Sequence, residues 1–561
     1  MAITFLFLFI IGRYFYVQVI WQEWLLCKAL DQWTREIPIV AERGDITDRN
    51  GMLLVENNSS YTVFARSNAI KDKSATAKVL SATLGVEETT LYEKLTKKKA
   101  SEVTIAKRID KEKISKLAEL SVEGVYYSRD NLRAYPRNDT LCQVLGFTSS
   151  DNVGVTGIEK YYNDVLSGKR GELLYETDLV GIDLNGAVAA YVPAEKGYNI
   201  SLTIDYGIQS IAESALKKVY EEYSPTSAEC IVLDPKTFEI LAMANYPSYD
   251  LNDIPRDDIS ALNKLSRNKI VSDVYEPGST FKVLTAAINL EENLKGNQKA
   301  FARTHIFSSS RTRAVDGTVV KCWNNHSNGK HSNQTLAEAL NNSCNPCFTD
   351  IALSLGKETF YDYLSLFGLG KRTGIDFSGE AYGLLMAENA VRACDLARIG
   401  FGQTIAVSAL QLALATASTI NGGYYYQPRL VKKIYADDGY IKQEYKPTLV
   451  NRTVSKETSS ILASMLEGVV TDGSGKKAYI EGYKVAGKTG TAQKYENGRI
   501  AAGKYISSFV GFFPSNDPEY LTLVIVDEPK GAYYGSVVAA PCAKDIFEGI
   551  IALKNIPAVT K

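Results

Sequence analysis

The stretch Tyr275-Glu276-Pro277-Gly278-Ser279-Thr280-Phe281-Lys282-Val283-Leu284 constrains this chain more than any other. A Pro-Gly turn runs into a helix-compatible segment, predicted over Phe281 to Leu290, so Ser279 falls at a first helical turn. Lys282, three residues on, shares its helical face. A serine hydroxyl is a weak nucleophile near neutral pH and needs a base within hydrogen-bond reach. A lysine amine kept neutral by burial and nearby cations is such a base. The start of a helix adds free N–H groups for developing negative charge. Taken alone, S-x-x-K is weak evidence, because the spacing also arises by chance. Two further segments strengthen it. Ser343-Cys344-Asn345 closes an apolar helical run, and Lys488-Thr489-Gly490-Thr491 lies among small residues. Each has a plain alternative, a helix cap for the first and an ordinary strand end for the second.

Together, S-x-x-K, S-x-N and K-T-G, in that order and well separated, resemble the motif set of penicillin-binding proteins. Three earlier segments extend the resemblance to class B, the monofunctional transpeptidases of bacterial cell-wall synthesis. They are Arg43-Gly44-Asp45-Ile46-Thr47-Asp48-Arg49-Asn50-Gly51, Leu132-Arg133-Ala134-Tyr135-Pro136 and Gly154-Val155-Thr156-Gly157-Ile158-Glu159. By residue chemistry alone the first contains an Asn-Gly hairpin turn. By resemblance all three belong to a non-catalytic pedestal domain. Val510-Gly511-Phe512-Phe513-Pro514 and Val526-Asp527-Glu528-Pro529 resemble the septal branch, which includes division enzymes and the sporulation-specific SpoVD type.

A chain of 561 residues exceeds one ordinary core, so two or three domains are expected. The formal net charge of −1 argues against a nucleic-acid partner. The N-terminus departs from globular composition: Ala2 to Ile11 is uncharged and apolar, and after Arg13 the run to Trp21 is again largely apolar. A span needs ~20 such residues. A signal-peptide core is the alternative, but no small-residue cleavage site follows. Residues 1–21 therefore read as an uncleaved membrane anchor with Arg13, Tyr14, Tyr16 and Trp21 at the outer interface. The missing basic flank suggests a natural start further upstream. Everything after about Gln22 is expected outside the cytoplasm.

Residues 26–196 read as the elongated pedestal, with the Lys-rich stretch from Thr96 to Ser101 as a solvated face. Residues 197–561 read as the catalytic domain. Asn199 to Asp205 alternates like a strand and Ile208 to Tyr220 has helical periodicity. Cys230 to Pro235 and Glu239 to Ala244 form a predicted hairpin. Tyr505 to Phe513 and Tyr520 to Asp527 read as antiparallel strands, and Asp545 to Leu553 as a closing helix. Strands at both ends with helices between indicate an α+β domain. The resemblance implies the serine β-lactamase-like fold, a five-stranded antiparallel sheet with helices on both faces.

The resemblance also assigns roles. Ser279 attacks the carbonyl between two D-alanines of a peptidoglycan stem peptide, and Lys282 takes its proton. Ser343 relays a proton to the leaving amine, and Asn345 holds Lys282 and the substrate amide. Lys488 and Thr489 bind the terminal carboxylate. Gly490 leaves room for the substrate backbone along the strand edge. The N–H groups of Ser279 and Thr491 form the oxyanion hole. An amine from a neighbouring stem peptide then resolves the acyl-enzyme. β-Lactams are the expected inhibitors, no cofactor is needed, and a lipid-II-polymerising membrane glycosyltransferase is the expected partner.

Two of the three histidines and three of the eight cysteines fall between Cys322 and Cys347. A structural zinc held by Cys322, His326, His331 and Cys347 matches a Cys₂His₂ inventory. Buried thiols, or a Cys322–Cys347 disulfide, are the alternatives. Cys27, Cys142, Cys230, Cys394 and Cys542 are scattered, as small buried hydrophobes would be. Three functions compete. A membrane-anchored D,D-transpeptidase fits every motif. A D,D-carboxypeptidase or β-lactamase needs neither the Arg43–Gly51 box nor this length, and no glutamate for water activation is identifiable. A non-catalytic penicillin sensor needs no complete motif set.

Overall fold

The computed structural model describes residues 1–97, 102–177, 183–308, 310–323, 332–496 and 499–558. Its first helix, Ala2–Phe15, continues through a wider turn at Tyr16–Ile20. Ile3–Ile20 is long and apolar enough to cross a membrane, and none of it is buried against the rest of the chain. Arg13 lies over the rings of Tyr16 and Trp21, at 5.6 and 5.3 Å. An amphipathic cluster of this kind suits a membrane interface. Most of the Lys-rich stretch lies outside the described residues.

The three early boxes converge on one buried ion cluster. Glu159 is fully buried and takes Arg43 Nη2 at 2.7 Å on one oxygen and Arg133 Nε at 2.7 Å on the other. Arg43 Nη1 donates to the Asn152 carbonyl and to Asn163 Oδ1, at 2.7 and 2.9 Å. Charge-assisted bonds of this geometry offset the cost of taking three charges out of water. The predicted hairpin turn joins Ile46–Thr47 to Leu53–Ala65. The Asp48 carboxylate accepts the backbone N–H of Asn50 and of Met52, both at 2.8 Å.

One sheet runs across the expected junction at 196/197. Ile46 pairs in parallel with Ile200. Asn199–Leu202 also pairs with Val431–Tyr435, which carries Ile441–Glu444 at the sheet edge. The strand predicted over Asn199 to Asp205 is present as Asn199–Leu202, and it joins the first residues of the chain's pedestal to its catalytic part. No local pattern encodes this, because the partners lie far apart in sequence.

The catalytic part is built on five antiparallel strands in the order Ile240–Tyr246, Ser227–Leu233, Tyr520–Asp527, Arg499–Phe513 and Ala486–Glu496. Every residue of Ser227–Leu233 is buried. That is the pattern of a central strand covered on both faces, and it hides the two-residue alternation. Helices Tyr206–Tyr223, capped by Asp205, and Ala539–Lys554 cover one face around Phe509, Phe513 and Phe547. Helices Lys282–Leu294, Ala409–Ile420 and Lys456–Thr471 cover the other around Phe281, Leu412 and Leu466. The α+β architecture and the five-stranded sheet are as the sequence reading expects.

Candidate active site

Ser279 stands on a short 3₁₀ turn, Gly278–Phe281, before the α-helix proper begins at Lys282. The turn is tighter than the predicted helical start because it is wedged against the edge strand. Gly278 has φ 56°, in the left-handed region, and a Cβ there would come within 3.3 Å of the Ala492 side chain. Only glycine meets both conditions without strain.

Lys282 is fully buried. Its Nζ lies 3.0 Å from Ser279 Oγ, 3.1 Å from Ser343 Oγ, 2.8 Å from the Ser343 carbonyl and 2.7 Å from Asn345 Oδ1. Two of these four partners, the Ser279 and Ser343 hydroxyls, can donate as well as accept. As a neutral amine Lys282 donates to the Ser343 carbonyl and Asn345 Oδ1 and keeps a lone pair for the Ser279 O–H. Burial pulls the Lys282 pKa down to about 8, which favours that form. Ser343 occupies the loop between helices Leu336–Asn341 and Asn345–Leu355 with φ 54°. This left-handed conformation turns both its carbonyl and its hydroxyl onto Lys282.

The K-T-G segment lies on Ala486–Glu496, the free edge of the sheet. Thr489, Gly490 and Thr491 line a cleft of about 510 Å³ together with Ser279, Ser343 and Asn345. Lys488 differs from expectation: it is fully buried, and its Nζ donates to its neighbour's carbonyl, that of Thr489, at 3.1 Å. Burial, then the nearby Lys282, push its pKa well down. Gly490 also serves another purpose than expected. A Cβ there would sit 2.3 Å from Ser508 Oγ and 2.9 Å from Thr280 Cγ2, so the glycine lets the nucleophile turn seat against the strand.

Several site residues escaped the sequence reading. Ser474 Oγ lies 3.1 Å from Thr489 Oγ1, placing two hydroxyls side by side in the cleft. Thr491 Oγ1 accepts the N–H of Gly535 at 3.0 Å and so anchors the loop carrying Tyr533 and Tyr534. Trp323 Nε1 donates to the Asn342 carbonyl at 3.1 Å. The available signal was Gly473-Ser474-Gly475, a flexible run placed shortly before K-T-G.

The proposed zinc ligands are not assembled among the described residues. His326 and His331 lie outside them. Within them no group of three or more His, Cys, Asp or Glu is arranged to hold a metal. Cys322, Cys344 and Cys347 are buried thiols, with Cys344 hydrogen-bonded to both others, and no disulfide joins Cys322 to Cys347.

A lysine-activated serine beside a polar loop and a free strand edge is an acyl-transfer arrangement. The penicillin binding protein transpeptidase domain matches residues 229–548. The chain belongs to that family. The penicillin-binding protein dimerisation domain matches residues 38–202, the region holding the Arg43, Arg133 and Glu159 cluster. Stage V sporulation protein D of Bacillus subtilis is 38% identical over 96% of this chain and 82% of its own length. Peptidoglycan D,D-transpeptidase FtsI of Escherichia coli is 28% identical over 98% of this chain and 90% of its own. Penicillin binding protein 2X of Streptococcus thermophilus superposes with a TM-score of 0.75 at 23% identity, covering 94% of this chain and 83% of that one. That likeness shows a shared fold.

Proposed function

We propose that this penicillin-binding protein is a serine D,D-transpeptidase that cross-links peptidoglycan stem peptides through an acyl-enzyme on Ser279. The observation that carries the reading is the 3.0 Å contact between Ser279 Oγ and Lys282 Nζ inside a cleft edged by the outermost strand of the sheet. Neutral Lys282 takes the Ser279 proton as Oγ attacks the penultimate D-Ala carbonyl. Backbone N–H groups of Ser279 and Thr491 face the oxyanion. Ser343 passes the proton to the departing D-Ala amine, while Asn345 holds Lys282 and the substrate amide. The hydroxyls of Thr489 and Ser474 receive the terminal carboxylate, and Lys488 backs the strand behind them. A second stem-peptide amine then takes the acyl group and releases Ser279.

The apolar segment 1–21 supports a single-pass anchor in the bacterial membrane, with the pedestal, 26–196, and the catalytic domain, 197–561, outside the cytoplasm. The likeness to Stage V sporulation protein D and to FtsI supports work at a septum or in spore wall. A lipid-II-polymerising glycosyltransferase is the membrane partner this role calls for. Incubation with a stem peptide ending in D-Ala-D-Ala and an excess of a labelled D-amino acid tests the activity. Exchange of the terminal residue is expected. Hydrolysis alone, with fast turnover of bound penicillin, favours a carboxypeptidase or β-lactamase.

A zinc clasp of Cys322, His326, His331 and Cys347 bracing the Ser343 loop is supported by the burial of Cys322 and Cys347 beside that loop. Metal analysis of the purified chain should find about one zinc per chain; none ends this reading.

A further inference from the structure

A second cavity, of about 160 Å³, opens where the pedestal meets the catalytic domain. Its floor holds Arg133 and Tyr135, and its rim holds Arg108 from the pedestal and Arg256 from the catalytic domain. The charges here do not balance. Arg133 is committed to Glu159 together with Arg43. Arg108 and Arg256 form no ion pair among the described residues. Their guanidiniums donate to backbone carbonyls instead, Arg108 to Ser149 at 2.7 Å and Arg256 to Thr148 at 2.9 Å. Asp151 is within electrostatic reach of Arg108 but is paired with Lys107. Burial, then the like charge of Arg108, lowers the pKa of Arg256.

Two unsatisfied groups add to the charge imbalance. Tyr135 is 4% exposed, and among the described residues its hydroxyl has no hydrogen-bond partner. Arg108 Nε is likewise buried without one. Buried donors are normally satisfied, so each one left open marks a place for a missing acceptor. Arg108 also holds a left-handed φ of 59° at an irregularity in the pairing of Val103–Ile109. A non-glycine residue kept there is costly.

We infer that this junction is a binding site for a small oxyanion of the phosphate class, held by Arg108, Arg256 and the Tyr135 hydroxyl. The two arginines come from different domains, so a bound anion ties the pedestal to the catalytic part. The volume admits one tetrahedral anion and excludes a nucleotide. The phosphate is either free or carried on a lipid headgroup.

Thermal melts of the full chain in detergent test the site, using inorganic phosphate against chloride at equal ionic strength. Phosphate at about tenfold above its Kd should raise the melting temperature by about 1–3 °C. Arg256→Gln and the Arg108→Gln, Arg256→Gln pair should abolish that shift. Each variant is read against its own melting temperature without phosphate, because each loses a hydrogen bond to a backbone carbonyl. Penicillin acylation should be unchanged in both. A short-chain phosphatidic acid acting at lower concentration than phosphate assigns the site to a headgroup, and equal action assigns it to the free anion. No phosphate-specific shift in wild type, or the same shift in the variants, overturns the inference.

Discussion

Lys282→Met should acylate with penicillin about 10²–10⁴-fold more slowly than wild type, the range a positioned general base contributes. The substitution keeps an apolar chain of similar length in the pocket beside Phe348, whose ring centre lies 5.5 Å from the amine. It removes the one group among the described residues that is hydrogen-bonded to Ser279 Oγ and can take its proton while bonded to Ser343 and Asn345. The same base sets the pH profile. Burial lowers the Lys282 pKa from 10.5 to about 8, and the reactive form is the unprotonated one. Acylation by wild type should therefore rise about tenfold per pH unit below 8 and level off above it. Stopped-flow acylation between pH 6 and 9.5 reads both effects. A flat profile, or a Lys282→Met protein as fast as wild type, would remove the amine from the base role.

Glu159→Ala should cost the pedestal about 3–5 kcal/mol, because it strands two buried guanidiniums. Arg43 and Glu159 are 1% and 0% exposed along their side chains, and Arg133 is 2% exposed. A guanidinium keeps its charge even when buried. Urea denaturation should show the loss as an earlier transition, and because Ile158 beside Glu159 and Phe281 beside Ser279 share one apolar core, penicillin acylation should be lost over the same range. An unchanged transition would mean that the triad contributes little beyond its desolvation cost.

The three catalytic motifs and the three pedestal boxes were legible because each packs several chemically distinct residues into a short window. The strands of the catalytic sheet were legible only roughly. Arg499–Phe513 begins six residues before the expected start at Tyr505, and Ser227–Leu233 is buried throughout, without alternation. What was hidden depends on contacts between distant segments. The full burial of Lys488 depends on the elements packed against its strand, which no local pattern records. The Ile46–Ile200 pairing is likewise set by tertiary packing. The left-handed Ser343 could not be anticipated, since serine has no intrinsic preference for that conformation.

Intact-mass analysis of the purified chain with labelled penicillin, wild type beside Ser279→Ala, tests the central chemistry. Wild type should gain the mass of one penicillin, the label should map to the peptide bearing Ser279, and Ser279→Ala should gain nothing. An equal adduct on the Ser279→Ala chain, or a label on another residue, would contradict the assignment of Ser279 as the nucleophile.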